Sequence, residues 1–258
     1  MENSSYPILE FDPTRRAVIE PRAIIKRQPD LPPHVVLCFF QDVIAKLVKD
    51  GQAKKIGSMR TEMGRHPIYR VAWEERPFTL MHPGVGAPLA VGLMEEIIAR
   101  GGRAFVACGG AGVLNRDLAV GHLVIPTGAV RDEGTSYHYQ PPTREIAADR
   151  EVIAALEAVL QRYDVPYVLG KTWTTDAFFR ETPAKVARRR DEGCVTVEME
   201  TAAFIAAARF RGAPFGQLLY GGDDVSGETW DARDWVSRMD VREAMVWLAA
   251  EACLALEV

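Results

Sequence analysis

The feature that most constrains this chain is a repeated pattern: a short, wholly apolar run, a glycine-bearing turn, then apolar positions three and four residues apart. Val35-Val36-Leu37-Cys38-Phe39-Phe40 leads into Val43, Ile44, Leu47 and Val48, a helical face expected to stop at Gly51. A continuous apolar run suits a strand covered on both faces, and the three-four spacing suits a helix laid against a sheet. Residues 68–73 and 78–81 read as two further strands. Beyond Gly84-Val85-Gly86-Ala87-Pro88, Leu89, Leu93 and Ile97 mark a helix that ends at Gly101-Gly102, with proline near the start and glycine past the end. Strands at 103–108, 123–125, 167–173, 195–197 and 215–220 alternate with helices around Val152–Leu160, 199–211 and 241–256. Such alternation predicts an α/β fold with a mostly parallel central sheet and helices on both faces.

Size and charge narrow the reading. The chain has 258 residues, 31 basic against 35 acidic side chains, and a formal net charge of −4, so neither nucleic acid nor an anionic membrane is an expected partner. By surface scaling, a monomer of this mass exposes about 11,000 Å² and hides roughly 73% of what its unfolded chain exposes, ample for a single domain. No linker divides it. Residues 1–34, rich in proline and charge and without period, form an expected N-terminal arm on the surface or on a neighbouring subunit; residues 35–258 form one catalytic domain. Cys38, Cys108, Cys194 and Cys253 sit in apolar runs without a CxxC pair, which suits buried free thiols in a reducing compartment. No apolar run approaches the roughly 20 residues of a membrane span, and the first dozen residues lack a secretory pattern. The expected location is cytoplasmic.

Three kinds of feature carry chemistry. Glycine-rich turns after strands, Gly84-x-Gly86, Gly109-Gly110-Ala111-Gly112 and Gly221-Gly222, would let backbone approach a ligand, although each also reads as a plain strand-to-helix turn. Val197-Glu198-Met199-Glu200 places two carboxylates where a strand enters an Ala-rich helix. There a carboxylate can accept hydrogen bonds from vicinal sugar hydroxyls, or simply cap the helix. Asp223-Asp224 follows the strand at 215–220 and offers a general acid, or an Asx turn. The five histidines show no ligand spacing, so no metal site is expected.

Taken in order, Gly84-Val85-Gly86, Gly109-Gly110-Ala111-Gly112, Val120-Gly121-His122-Leu123-Val124, Arg131-Asp132-Glu133-Gly134-Thr135-Ser136-Tyr137-His138, Thr175-Asp176-Ala177-Phe178-Phe179 and Val197-Glu198-Met199-Glu200 resemble the nucleoside phosphorylase-I superfamily, most of all its uridine phosphorylase-like branch. The resemblance implies a single-domain α/β fold with a mixed, barrel-like central sheet. It implies an enzyme of nucleoside metabolism, a glycosyltransferase or a nucleosidase, that cleaves the bond between ribose and base. It also implies self-association as a dimer or trimer of dimers, a small-molecule nucleoside as partner and no cofactor, with phosphate possible as co-substrate. Carried over by position, Glu200 binds ribose hydroxyls, Met199 packs under the sugar and Glu198 is its acidic companion. Phe178 flanks the base, Gly110 approaches nucleophile and sugar, and Asp223 or Asp224 protonates the leaving base. Arg180 is a candidate reader of the base or of a 5′ anionic group, and His138 lies on a segment long enough to cover the cleft.

The departures concern phosphate. Where phosphorolytic members carry a Gly-Asp-Pro-x-x-Arg type loop, this chain has Phe39-Phe40-Gln41-Asp42-Val43-Ile44; the arginine before the second glycine run falls at Ala107, and the hydroxyl residue within it at Gly110 or Ala111. A phosphate in a partly dry cleft needs donors or cations aimed at it. The expectation is therefore a nucleoside-cleaving enzyme whose nucleophile is phosphate held in another way, or water, with Asp42 a candidate for positioning that water. A nucleoside-binding protein without turnover is the alternative.

Overall fold

The computed structural model describes residues 4–258. At its centre β1 (His34–Cys38) lies between two parallel neighbours, β4 (Arg76–Met81) and β5 (Ala104–Val113), with Cys38 level with Cys108. From β5 the sheet continues through β10 (Phe215–Asp224), β6 (Leu123–Asp132), β8 (Tyr167–Thr175) and β9 (Cys194–Glu198), and β9 pairs back onto β5. These five strands close a barrel. β1, β4, β3 (Gly64–Trp73) and β2 (Lys54–Thr61) extend it as an open wing, and the short β7 (Glu145–Ala147) pairs with β6. The sheet is mixed. Five strand pairs, β1–β4, β1–β5, β5–β10, β6–β8 and β8–β9, are parallel and five are antiparallel among the described residues, so parallel pairing is half of the total.

Helices cover both faces, each through the stripe that its apolar spacing gives it. α2 (Gln41–Lys49), α4 (Arg150–Arg162) and α7 (Met239–Leu254) bury Val43, Ile44, Leu47, Val152, Leu156, Met245 and Val246 against one side. α3 (Ala87–Arg100) and α6 (Thr201–Arg211) bury Leu93, Met94, Ile97, Phe204 and Ile205 against the other. Their ends follow expectation: Pro88 opens α3, and Gly101 (φ +136°) and Gly212 (φ +73°) close α3 and α6 in conformations that favour glycine. All four cysteines are free and buried. No helix of the described residues is long and apolar enough to cross a membrane.

Some elements differ from the sequence reading, for physical reasons. Gly109–Gly112 and Gly221–Gly222 are not turns but lie inside β5 and β10, which pair with one another through Gly110, Gly109 and Ala111. Glycine serves there because side chains press on the backbone: a Cβ at Gly109 would meet Phe39 at 3.0 Å, and one at Gly112 would meet Val197 at 3.0 Å. β2 has no apolar alternation, because it is an edge strand whose Lys54 and Lys55 face solvent. α5 (Pro183–Asp191), Arg-rich and without an apolar face, is instead set by a Thr182 cap, by Pro183, and by Arg189 bonding Asp132 at 3.1 Å. The first strand starts at His34. The described part of the arm, which carries the short helix α1 (Pro21–Ile24), folds back on its own subunit, where Arg15 lies over the Phe210 ring and Glu20 pairs with Arg211 at 3.5 Å.

Candidate active site

At the β9-to-α6 junction the chain passes from a barrel strand into the N-terminus of a buried helix, whose first N–H groups need acceptors. Glu198 supplies one. Its Oε2 accepts hydrogen bonds from the backbone N–H groups of Glu200 and Thr201, both at 2.7 Å. Its Oε1 accepts from Thr174 Oγ1 at 2.6 Å and, more distantly, from Thr172 Oγ1 at 3.5 Å. The carboxyl group is thus surrounded by donors of its own fold. Burial pushes its pKa up, and these hydrogen bonds pull against that rise. Glu198, expected as a catalytic acid, thus spends its hydrogen bonds on the start of α6 and on the two threonines of β8.

Glu200 is the residue that remains available. It is 5% exposed, and one oxygen, Oε1, accepts the backbone N–H of Gly86 across 114 residues of sequence. That bond ties the α6 start to the first glycine turn, where Gly84 and Gly86 hold φ of +81° and +91°. His82 braces the same turn by accepting the Gly84 N–H on Nδ1 at 3.0 Å, with a pKa lowered by burial. The Glu200 pKa is pushed up to about 8, first by burial and then by the neighbouring Glu198 carboxyl. The backbone amides of Gly86 and Met199 both pull against that rise, and Met199, half-buried, lies between the two acids.

The two aspartates at the end of β10 separate cleanly. Asp224 is 5% exposed, accepts the Ser226 N–H at 2.7 Å, and faces Arg116 at 3.5 Å and Arg233 at 4.0 Å. Burial opposes its ionisation, yet the Ser226 bonds and the two guanidinium groups hold its pKa below the usual range. It organises the following turn. Asp223 points the other way, over Gly112, and accepts the Trp230 indole N–H on Oδ2 at 2.7 Å. Burial, then the Asp223 charge, push the Glu181 pKa up to about 7, against a pull from Lys185.

The backbone that would face a nucleophile is covered by rings. Phe39 packs on Gly109, with its ring 5.9 Å from His82 and 6.4 Å from Phe204. On the other face of β5, Tyr220 and Trp235 would meet a Cβ on Gly110 at 3.2 and 3.3 Å. Asp42 does not reach this region free: it is paired with Arg242 at 2.8 Å and bonds the Val43 N–H. A separate cleft of about 380 Å³, lined by residues such as Asp149, Glu151 and Arg209, lies at the far end of α6 and contains none of these groups.

The model of the "Phosphorylase superfamily" matches residues 33–255, nearly the whole described chain. The chain belongs to the phosphorylase superfamily. Relatives include a guanosine phosphorylase of Halorubrum lacusprofundi, 29% identical over 153 residues (59% of this chain, 64% of that one). A uridine phosphorylase of Treponema pallidum is 35% identical over 105 residues, 41% of each chain. The chain thus spans less than two thirds of the length of these curated relatives. Among solved structures, a uridine phosphorylase of Vibrio fischeri superposes with TM-score 0.74 at 21% identity, covering 90% of this chain and 99% of that one. An AMP nucleosidase of Bacteroides thetaiotaomicron gives TM-score 0.70 at 22% identity, covering 88% and 89%. The fold is shared with both.

Within this superfamily member, the remaining expected site residues are distributed as follows. Gly110 lies in β5 beneath Trp235, and Phe178, 52% exposed, opens the short turn Phe178–Arg180 with its ring 4.1 Å from that of Phe179. Arg180 is exposed on the same turn. His138 is exposed at the end of the turn Thr135–His138, outside the network joining Glu198, Glu200 and Gly86. Sequence reasoning missed Trp230 as the partner of Asp223 and Trp235 as the cover of Gly110, because neither sits in a periodic segment. Phe39 carried a signal: an aromatic residue where a phosphate loop was expected.

Proposed function

We propose that the protein cleaves the N-glycosidic bond of a nucleoside or related ribosyl compound, with water as the nucleophile. The observation that carries this reading is the Phe39 ring packed on Gly109 and against His82, the residue that braces the turn whose Gly86 N–H holds the buried Glu200. Glu200 accepts the sugar hydroxyls and Met199 packs beneath the ring. As the bond to the base lengthens, positive charge develops on the ribosyl group. The acids lining this cleft, held in place by Glu198 and Gly86, favour that charge electrostatically. Asp223 assists the departing base. An apolar ring where phosphate would need charge-assisted donors supports water over phosphate. Each missing guanidinium forgoes about 1.5–3 kcal/mol of hydrogen bonding.

Self-association belongs to the same proposal. Tyr6, Val18, Ile19 and Ile24 of the arm, with Val85 and Phe179 near the cleft, are exposed apolar side chains, and the surface of 12,794 Å² exceeds the roughly 11,000 Å² of a compact monomer. A second copy covering these residues, as a dimer or trimer of dimers, would close the cleft. Four buried thiols support a reducing, cytoplasmic setting.

The test is a nucleoside panel incubated with purified protein, with and without phosphate, with base release followed by chromatography. Release independent of phosphate is expected. Release only with phosphate would make the protein a phosphorylase, and tight binding without release would make it a binding protein. Light scattering reports the assembly.

A further inference from the structure

We infer that His82 is a positioning residue for sugar binding that works only as the neutral ring: its bare Nδ1 holds the turn that seats Glu200, and acid releases that turn. This role rests on the cleavage proposed above, in which Glu200 accepts the sugar hydroxyls. The Gly84 N–H donates to His82 Nδ1 at 3.0 Å. A backbone N–H has no other role, so Nδ1 carries the lone pair and the ring proton sits on Nε2. The bond links residue 82 to residue 84, the span of an Asx turn, with an imidazole nitrogen in place of an Asn oxygen.

The turn needs this anchor because of what it is made of. Gly84 and Gly86 hold φ of +81° and +91°, and glycine gives up more conformational freedom on ordering than any other residue. Two side chains fix them: His82 at Gly84, and Glu200 at Gly86. Without the first, the Gly86 N–H sits on a freer segment, and Glu200 loses the partner that orients it. The half-buried ring is itself fixed edge-on against Phe39, with centroids 5.9 Å apart and planes at 72°.

The surroundings favour the neutral ring. Phe39 and Phe204 carry no charge, and the first turn of α3 has no acid. His66 of β3, whose charge opposes a proton on His82, is bonded to Thr61 at 2.8 Å. Glu200, from the start of α6, reaches the turn through Gly86 with Glu198 bound behind it, and among the described residues no carboxylate pairs with the ring. Burial lowers the His82 pKa below its ordinary 6.5; a hydrogen bond to the Phe39 backbone opposes that fall, and His66 adds to it. The ring is therefore neutral at pH 7 and gains its proton in acid. In the imidazolium both nitrogens donate, so an N–H then faces the Gly84 N–H and the bond is lost.

The experiment measures base release from adenosine, guanosine and uridine by the full chain without phosphate between pH 5 and 8, resolving kcat from KM. Wild type is compared with His82→Phe, which fills the space without an acceptor, and His82→Asn, whose Oδ1 suits the same turn and takes up no proton. Wild-type KM should rise about tenfold from pH 7 to pH 5, the loss of one hydrogen bond, with kcat changing less. His82→Phe should show that rise already at pH 7, and His82→Asn should recover most of the lost binding and flatten the acid rise. The titration of Glu200 is common to all three proteins and cancels from their differences. Hydrogen exchange of residues 82–87, corrected for intrinsic rates, reads the turn without turnover: protection should fall in acid in the wild type and be low throughout in His82→Phe. Should His82→Phe fail to fold by circular dichroism, the wild-type and His82→Asn profiles carry the test. A wild-type KM and pH profile in His82→Phe, a full acid rise in His82→Asn, or wild-type protection equal at pH 5 and 7 overturns the proposal while leaving cleavage in place. Release from no nucleoside overturns the cleavage reading and the role in sugar binding, and the exchange data then decide alone whether His82 holds the turn.

Discussion

Glu198 and Glu200 are two residues apart and do different work, which single substitutions separate. Glu198→Ala removes the acceptor for two helix N–H groups and two threonine hydroxyls in a buried site. The expected loss is about 3 kcal/mol of stability, read by denaturant unfolding. Glu200→Gln keeps the shape and removes the ionisable carboxyl group, so base release should fall at least about 100-fold while the fold persists. The same variant tests the pKa of Glu200. An acid whose folded pKa stands at about 8, above its ordinary 4.5, costs nothing when protonated at low pH and destabilises progressively as pH rises from 4.5 through 8. Thermal melts should show wild-type stability declining over that window, and Glu200→Gln should flatten the decline. A wild-type profile in the variant would remove Glu200 as its source. The Glu-Met-Glu motif was readable in sequence because a strand, two acids and an alanine-rich helix are contiguous. The division of labour was not, since it depends on Thr172, Thr174 and Gly86, which lie far away along the chain.

At the scale of elements, two backbone devices shape the site. The first is the Gly84–Gly86 turn between β4 and α3, whose Gly86 N–H reaches Glu200. A Cβ at Gly84 would lie 2.5 Å from Leu89 in a backbone with φ of +81°, so Gly84→Ala is expected to cost about 2–3 kcal/mol and to weaken substrate binding more than turnover. The second is the β5–β10 pair, whose glycines admit rings instead of turning the chain. A glycine run after an apolar run reads the same whether the strand stops or continues under a packed aromatic ring. The difference is made by Phe39, Trp235 and Val197, which belong to other elements. Edge strand β2 and helix α5 were hidden for a related reason, as solvent-facing elements lack the apolar periodicity that betrays buried ones.

At the scale of the whole molecule, closure of the barrel through β9 and β5 brings residues from β5, β8, β9 and β10 to one rim. Phe39 packed on Gly109, with the proposed use of water, yields a ligand prediction: millimolar phosphate should leave Tm unchanged, whereas a ribose-bearing ligand should raise it by mass action, both read by thermal shift. A rise with phosphate alone would reject the assignment of water. By itself the sequence determined the α/β class, both helical layers, the superfamily resemblance and the position of Glu200, because apolar period and contiguous motifs are local properties of a chain. Packing alone settles that Asp223 lies over Gly112 while Asp224 turns to Arg116 and Arg233, that Glu198 accepts the first N–H groups of α6, and that Phe39 closes the face of Gly109. Those facts are distances between residues remote in sequence, fixed by strand pairing and packing and carried by no local pattern.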